Sequence, residues 1–142
     1  MVTTNNILIA NNAENDFLLL KNPAGSGKTV KIERIVFGSD ENQANKSTFF
    51  RIYRDPTITS NGTALAINNL KKGASVGVIT AFKIPAISSR GTLMSVGSYQ
   101  APRISDDTDL VVMLHSGENM LITIDPTASN FDHQITVYFS ES

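Results

Sequence analysis

The segment Asn22-Pro23-Ala24-Gly25-Ser26-Gly27-Lys28-Thr29 carries the spacing richest in potential chemistry. Two glycines ahead of a Lys-Thr pair can wrap a phosphate in backbone N–H groups while the lysine neutralises it. Three features oppose that use here. Asn22 stands where the motif begins with a glycine. The residues after Thr29 alternate as a strand, so no helix N-terminus aims its amides at an anion. No parallel strand-helix context, and no apolar strand ending in a magnesium-holding Asp, completes the site. The expectation is a turn between strands in which Gly25 and Gly27 supply positive φ and Lys28 faces solvent or a neighbouring subunit.

His115 and His133 are the two histidines, and Asp132 beside His133 invites a triad with one of the many serines. Adjacent strand residues point to opposite faces, which places Asp132 badly for orienting His133. The reading is therefore one hairpin histidine and one surface histidine. Asp106, Asp107 and Asp109 form an acidic run, but a calcium cage needs roughly six to eight oxygen ligands and the EF-hand spacing is absent, so a solvated loop is expected. Asn45-Lys46-Ser47 and Asn61-Gly62-Thr63 fit the glycosylation sequon. About two such matches arise by chance in a chain this rich in Asn, Ser and Thr, and no signal peptide precedes them. No catalytic, cofactor-binding or metal-ligating residue is assigned.

Composition narrows the classes further. A length of 142 residues fits one domain able to bury its own core. The formal net charge of −1 provides no basic field for nucleic acid. The chain contains no cysteine, which removes disulfides and thiolate ligands. No apolar stretch approaches the roughly 18 residues of a membrane-spanning helix. Charged residues make up only 18%, and Ser, Thr and Asn fill the polar balance, a mixture suited to strands and turns.

The elements that must carry these residues are strands. Short alternating apolar runs are bounded every eight to fifteen or so residues by Gly, Pro, Asn, Asp and Ser, the rhythm of a sandwich or barrel. Asp16–Lys21 reads as a buried strand ended by Asn22-Pro23. Thr29–Phe37 alternates until its phase blurs after Arg34, the mark of a β-bulge or of cover on both faces. Thr48–Arg54 sets Phe50 and Ile52 against Phe49, Arg51 and Tyr53, with Asp55-Pro56 closing it; its second, amphipathic face suits a partly covered surface. Between Thr57 and Gly73 the pattern weakens to mostly loop, with one short strand or turn of helix. Val76–Phe82 and Thr92–Ser98 follow as strands. Leu110–His115 and Met120–Ile124 flank Ser116-Gly117-Glu118-Asn119 as the clearest hairpin. Asp132–Phe139 closes the chain. The sum is an all-β fold, an antiparallel β-sandwich of jelly-roll type with about eight strands. Residues 14–142 form the sandwich, and residues 1–13 are either its first strand or an arm ordered by a partner subunit.

The Asn22-Pro23-x-Gly-Ser-Gly-Lys28 turn before an alternating strand, Arg54-Asp55-Pro56-Thr57 with Asn61-Gly62-Thr63, and the late Leu114-x-x-Gly117-Glu118 hairpin resemble small jelly-roll structural proteins of tailed-phage virions, including capsid decoration, auxiliary and head-fibre base proteins. The resemblance covers roughly residues 14 to 140. It implies a non-enzymatic virion protein, made in the host cytoplasm, that needs no cofactor and touches neither nucleic acid nor membrane. It further implies a homo-oligomer, a trimer being favoured, docked on the major capsid protein or another virion protein. The alternative is a carbohydrate- or receptor-binding β-sandwich module associated with a fibre or tail. That use stacks sugars on exposed aromatics, for which Tyr53, Tyr99 and Tyr138 are the candidates.

Overall fold

Val30, Ile32, Ile35 and Phe37 are buried while Lys31, Glu33 and Arg34 are exposed, the period-two pattern of a strand with one covered face. The same rule builds the whole molecule. The computed structural model describes residues 1–39, 46–70, 73, 77–100, 105–107 and 111–142. Regular structure among them is antiparallel β: β1 (Val2–Thr3), β2 (Ile7–Ile9), β3 (Asn15–Lys21), β4 (Val30–Gly38), β5 (Ser47–Arg54), β6 (Thr57–Ser60), β7 (Thr63–Leu65), β8 (Thr80–Lys83), β9 (Ala86–Ser89), β10 (Thr92–Gln100), β11 (Ser105–Asp107), β12 (Val112–Leu114), β13 (Asn119–Pro126) and β14 (Phe131–Glu141). Among the described residues no helix is long and apolar enough to cross a membrane.

The pairings nest. Val2 faces Val137, Asn15 faces Ile124, Val30 faces Leu114, Ser47 faces Gln100, Thr57 faces Ser89 and Thr63 faces Lys83. The chain is thus one long antiparallel ribbon whose two legs converge beyond Leu65 and Ala81. Lateral pairing of this ribbon with itself makes two facing sheets. The first runs β1-β14-β4-β11, with β2 added to β14 and β12 to β4; the second runs β10-β5-β13-β3-β8-β7.

Buried side chains from both sheets fill the space between them, among them Ile32, Phe37, Ile135 and Val137 from the first and Leu20, Phe50, Ile52 and Ile122 from the second. The Phe37 and Phe50 rings stack across the interface at 4.0 Å, and Gly97 leaves the room that the Phe50 ring fills. In β3 the register with β13 slips at Phe17, so Phe17 and Leu18 both enter the core. The phase change in β4 is likewise a bulge: Tyr138 pairs Arg34 and Phe139 pairs Ile32, which leaves Glu33 as the extra residue.

Three expectations about the elements need correction. Asp106 and Asp107, expected in a solvated loop, lie in β11, which pairs β4. Residues 57–65 hold two strands, β6 and β7, where mostly loop with one short strand or turn of helix was expected. Their partners β9 and β8 lie on the returning leg of the ribbon, and their half-exposed side chains leave no strong apolar alternation to read. The segments around Ser116-Gly117-Glu118-Asn119 are not a hairpin: β12 pairs β4 in one sheet, while β13 pairs β3 and β5 in the other. That connection passes between the sheets beside the connection from β3 to β4. The two bends are the folded corner of the ribbon.

Past β5 and β10 the ribbon turns twice more. Asp55 (φ 50) sits near Gly91 (φ 80) at the first turn, and Ile84 (φ 50) near Gly62 (φ 84) at the second. A Cβ on Gly91 or Gly62 would run into the carbonyl oxygen of Arg54 or Lys83, so only glycine fits either position. Between the two turns β6 and β9 must cross from one side of β13 and β3 to the other on their outer face. Leu19 and Leu121 show the result, being fully buried on the side of the sheet away from the main core.

Candidate functional site

Among the described residues the densest cluster of ionisable groups lies on that outer face, under the ribbon. Strand alternation aligns Arg51 and Tyr53 of β5 with Thr123 and Asp125 of β13, and the first ribbon turn hangs Arg90 over them. Glu14, just ahead of β3, is the hub. Its Oε1 accepts hydrogen bonds from Tyr53 Oη at 2.9 Å and Thr123 Oγ1 at 2.6 Å. Its Oε2 lies 3.0 Å from Arg90 Nη1 and 3.4 Å from Arg51 Nη1. Arg90 Nε binds Asp16 Oδ1 at 2.8 Å, and Arg51 Nη1 binds Asp125 Oδ2 at 3.1 Å.

Burial opposes ionisation of Glu14, but the Thr123 and Tyr53 hydrogen bonds and the charges of Arg90 and Arg51 outweigh it and hold the carboxyl below its usual range. Burial, then the bond to Glu14, raises the Tyr53 phenol. A carboxylate whose two oxygens already hold two hydroxyls and two guanidiniums, and whose proton affinity is lowered, makes a poor general base. The cluster clasps β5, β13 and the β9–β10 turn to the chain entering β3.

A second polar pair lies inside the sandwich. His133 is fully buried, which corrects the expectation of a surface histidine; β14 alternation sends His133, Ile135 and Val137 inward. Its Nδ1 shares a 2.7 Å hydrogen bond with Tyr99 Oη. Phe17 packs edge-on to the His133 ring and Phe37 stacks on Tyr99. Burial pushes the His133 pKa down to about 4 and raises that of Tyr99 well above its ordinary value, although a bond from Thr48 works the other way on Tyr99. Asp132 is no orienting partner for His133; its carbonyl instead accepts Ser39 Oγ at 2.7 Å.

The glycine-containing segment after β3 is the ribbon corner, and most of its backbone donors are already engaged. Gly25 N bonds Ser116 Oγ at 2.8 Å, Ser26 N bonds Pro23 O at 3.1 Å, Lys28 N bonds Ser26 Oγ at 3.3 Å and Thr29 N bonds Ser142 O at 2.9 Å. These amides are thereby taken from any phosphate cradle. Asn22, where the phosphate motif would have glycine, is buried and ties the corner together: Nδ2 donates to Lys28 O at 2.8 Å and Leu114 O at 2.9 Å. Lys28 is exposed, and Gly25 and Gly27 have φ of 79 and 64. His115 stands on the same corner, its Nδ1 3.4 Å from Thr29 Oγ1.

Among the described residues no group of three or more His, Asp or Glu is arranged to hold a metal ion. Asp109 and Asn45 lie outside the described residues, as do Val76 and Leu110, where two strands were expected to begin. A cleft of about 420 Å³ opens where the ribbon tip meets the ends of β1 and β14, lined in part by Glu33, Asn68, Tyr138 and Glu141. Its carboxylates are occupied: Glu141 accepts the amides of Val78 and Ile79, and Glu33 accepts Ser140 Oγ. No protein-family model matches the chain, and no curated protein matches it in sequence.

The sequence left Glu14, Asp16, Arg90, Thr123 and Asp125 unremarked. Its one signal was the amphipathic outer face of β5, read as a partly covered surface. The other members come from loops and strands that only the register brings together.

Proposed function

We propose that this chain is a non-enzymatic structural protein of a tailed-phage virion, a capsid decoration or auxiliary protein built on a jelly-roll-type sandwich, which self-associates and docks on the major capsid protein by surface complementarity. The observation that carries the reading is the nested ribbon. A jelly roll is a long antiparallel ribbon wrapped so that its pairs interleave in two sheets, and the order β10-β5-β13-β3 supports that wrapping. The polar clusters support it as well, because their hydrogen-bonding capacity is turned inward to hold strands together.

The alternative of a carbohydrate-binding module loses two of its three tyrosines. Tyr99 is buried against His133, and Tyr53 is tied to Glu14. Tyr138 remains, half-buried at the cleft, with the Arg34 guanidinium 5.7 Å from its ring centroid. Immunogold labelling of particles purified from cells that make the protein tests the proposal. Label on the heads is the expected result. Protein found only in the soluble fraction, with glycan-array binding abolished by Tyr138→Ala, overturns it in favour of the alternative.

A further inference from the structure

Three of the four edges of the two large sheets are blunted among the described residues. On the β1–β2 edge the strand breaks at Asn5 (φ 55), and Asn68 N bonds Met1 O beyond it at 2.9 Å. On the opposite edge of that sheet β11 is only 3 residues long, and Arg54 Nη2 occupies the Met113 carbonyl of β12 at 3.0 Å. The second sheet ends on one side in β7, only 3 residues long. Its other edge differs from all of these. Strand β10 has 9 residues, none charged and none proline, and among the described strands it pairs with β5 alone. Beside this row of backbone groups, Leu93, Val96 and the neighbouring Phe49 are 50%, 56% and 43% exposed. Pairing with Tyr53, Arg51 and Ser98 respectively sets all three on one face of the sheet.

Open edges of this kind invite strand addition, and charge or interruption is what normally prevents it. We infer that β10 is a self-association surface on which a second copy of the chain adds its own β10 antiparallel across a two-fold axis, joining two sheets into one. This rests on the homo-oligomer part of the reading above and names its contact. The occupant follows from charge and length. An uncharged edge gives no attraction to a basic or acidic segment, and it meets its own copy without like-charge repulsion. Among the described edges of this molecule, the one that matches β10 in length and neutrality is β10 itself. The charges next to it, Arg51 and Asp125, are already paired with each other at 3.1 Å. In a register centred on the exposed Val96, each Val96 meets its counterpart, and the edge backbone groups of both copies pair with each other.

The chain has no cysteine, so Val96→Cys provides a clean probe of that register. A symmetric antiparallel pair brings the two Cβ atoms within disulfide range. Full-length Val96→Cys should form a disulfide dimer on mild oxidation, whereas Val111→Cys, comparably exposed at 67%, should remain uncrosslinked at the same concentration. Val96→Lys places two ammonium groups face to face and should raise the dimer dissociation constant by roughly a hundredfold or more, read by sedimentation, with the thermal midpoint of the monomer kept. A monomeric wild-type chain at about 100 μM overturns the inference and the homo-oligomer reading together. A dimer or trimer indifferent to Val96→Lys overturns the inference alone and leaves the oligomer to another surface.

Discussion

Two polar clusters lie on opposite sides of the second sheet, one on its outer face and one in the interior between the sheets, and they solve the problem of burial in opposite ways. The Glu14 cluster on the outer face keeps its charges. Its charged side chains are between 19% and 34% exposed, and three carboxylates are set against two guanidiniums. The Tyr99–His133 pair on the inner side has almost no exposure to water, so it stays neutral and is wrapped in Phe17 and Phe37. Ionisation survives where water still reaches and a partner is fixed; elsewhere the proton equilibrium shifts to remove the charge. One cluster therefore contributes through charge and the other through its suppression.

Acid separates them with the largest effect. His133 has a folded pKa of about 4 against an ordinary 6.5. Its contribution is complete above pH 6.5 and is lost as the pH falls toward 4, because the unfolded chain takes up a proton that the folded chain refuses. The stability lost over that interval is about 3 kcal/mol, measurable by urea denaturation at a series of pH values. Glu14, held below its usual 4.5, adds its own loss only below that value. In His133→Gln, stability should be flat from pH 6.5 to 4.5 and decline only below. A decline in the upper window that persists in this variant would break the comparison. Next in size, Glu14→Ala leaves Arg51 and Arg90 without their shared acceptor and should cost about 2 kcal/mol at pH 7, while Glu14→Gln, which keeps the hydroxyl bonds, should cost less.

Neither cluster was fully legible in the sequence, and the two failed for different physical reasons. The strand pattern revealed the all-β class, the phase break in β4 that the register resolves as a bulge, and the inward face of β5, because period-two alternation is local. It also placed His133 in phase with Ile135 and Val137, yet the expectation was a surface histidine; the Tyr99 phenol on β10 is a partner that reconciles it with burial. The Glu14 cluster depends on four separated segments. Thr123 meets Arg51 through the β13–β5 register, and Arg90 arrives through a turn set by Gly91. The mistaken hairpin at Ser116–Asn119 has the same origin. Its turn chemistry is genuine, but which sheet each flanking strand joins is decided by longer-range pairing.

Tyr99→Phe gives the next test of the inner pair. Removing the phenolic oxygen leaves ring packing intact but deprives His133 Nδ1 of its 2.7 Å partner, at a cost of about 1.5 kcal/mol. Because burial holds the His133 pKa down, the acid-sensitive window between pH 6.5 and 4 should survive in this variant, and its disappearance would show that the hydrogen bond controls the titration.

The smallest effect belongs to Tyr53→Phe on the outer face. Glu14 keeps Thr123, Arg51 and Arg90, and the half-buried position lets water replace the lost hydroxyl, so a change of about 0.5 kcal/mol is expected. A phenol removed from each cluster thus measures the difference between them directly. If the two tyrosine variants cost the same in parallel denaturant titrations at pH 7, water reaches both sites alike and the contrast between the faces fails. A cost for Tyr99→Phe two to three times larger is the result expected if only the inner pair is sealed from solvent.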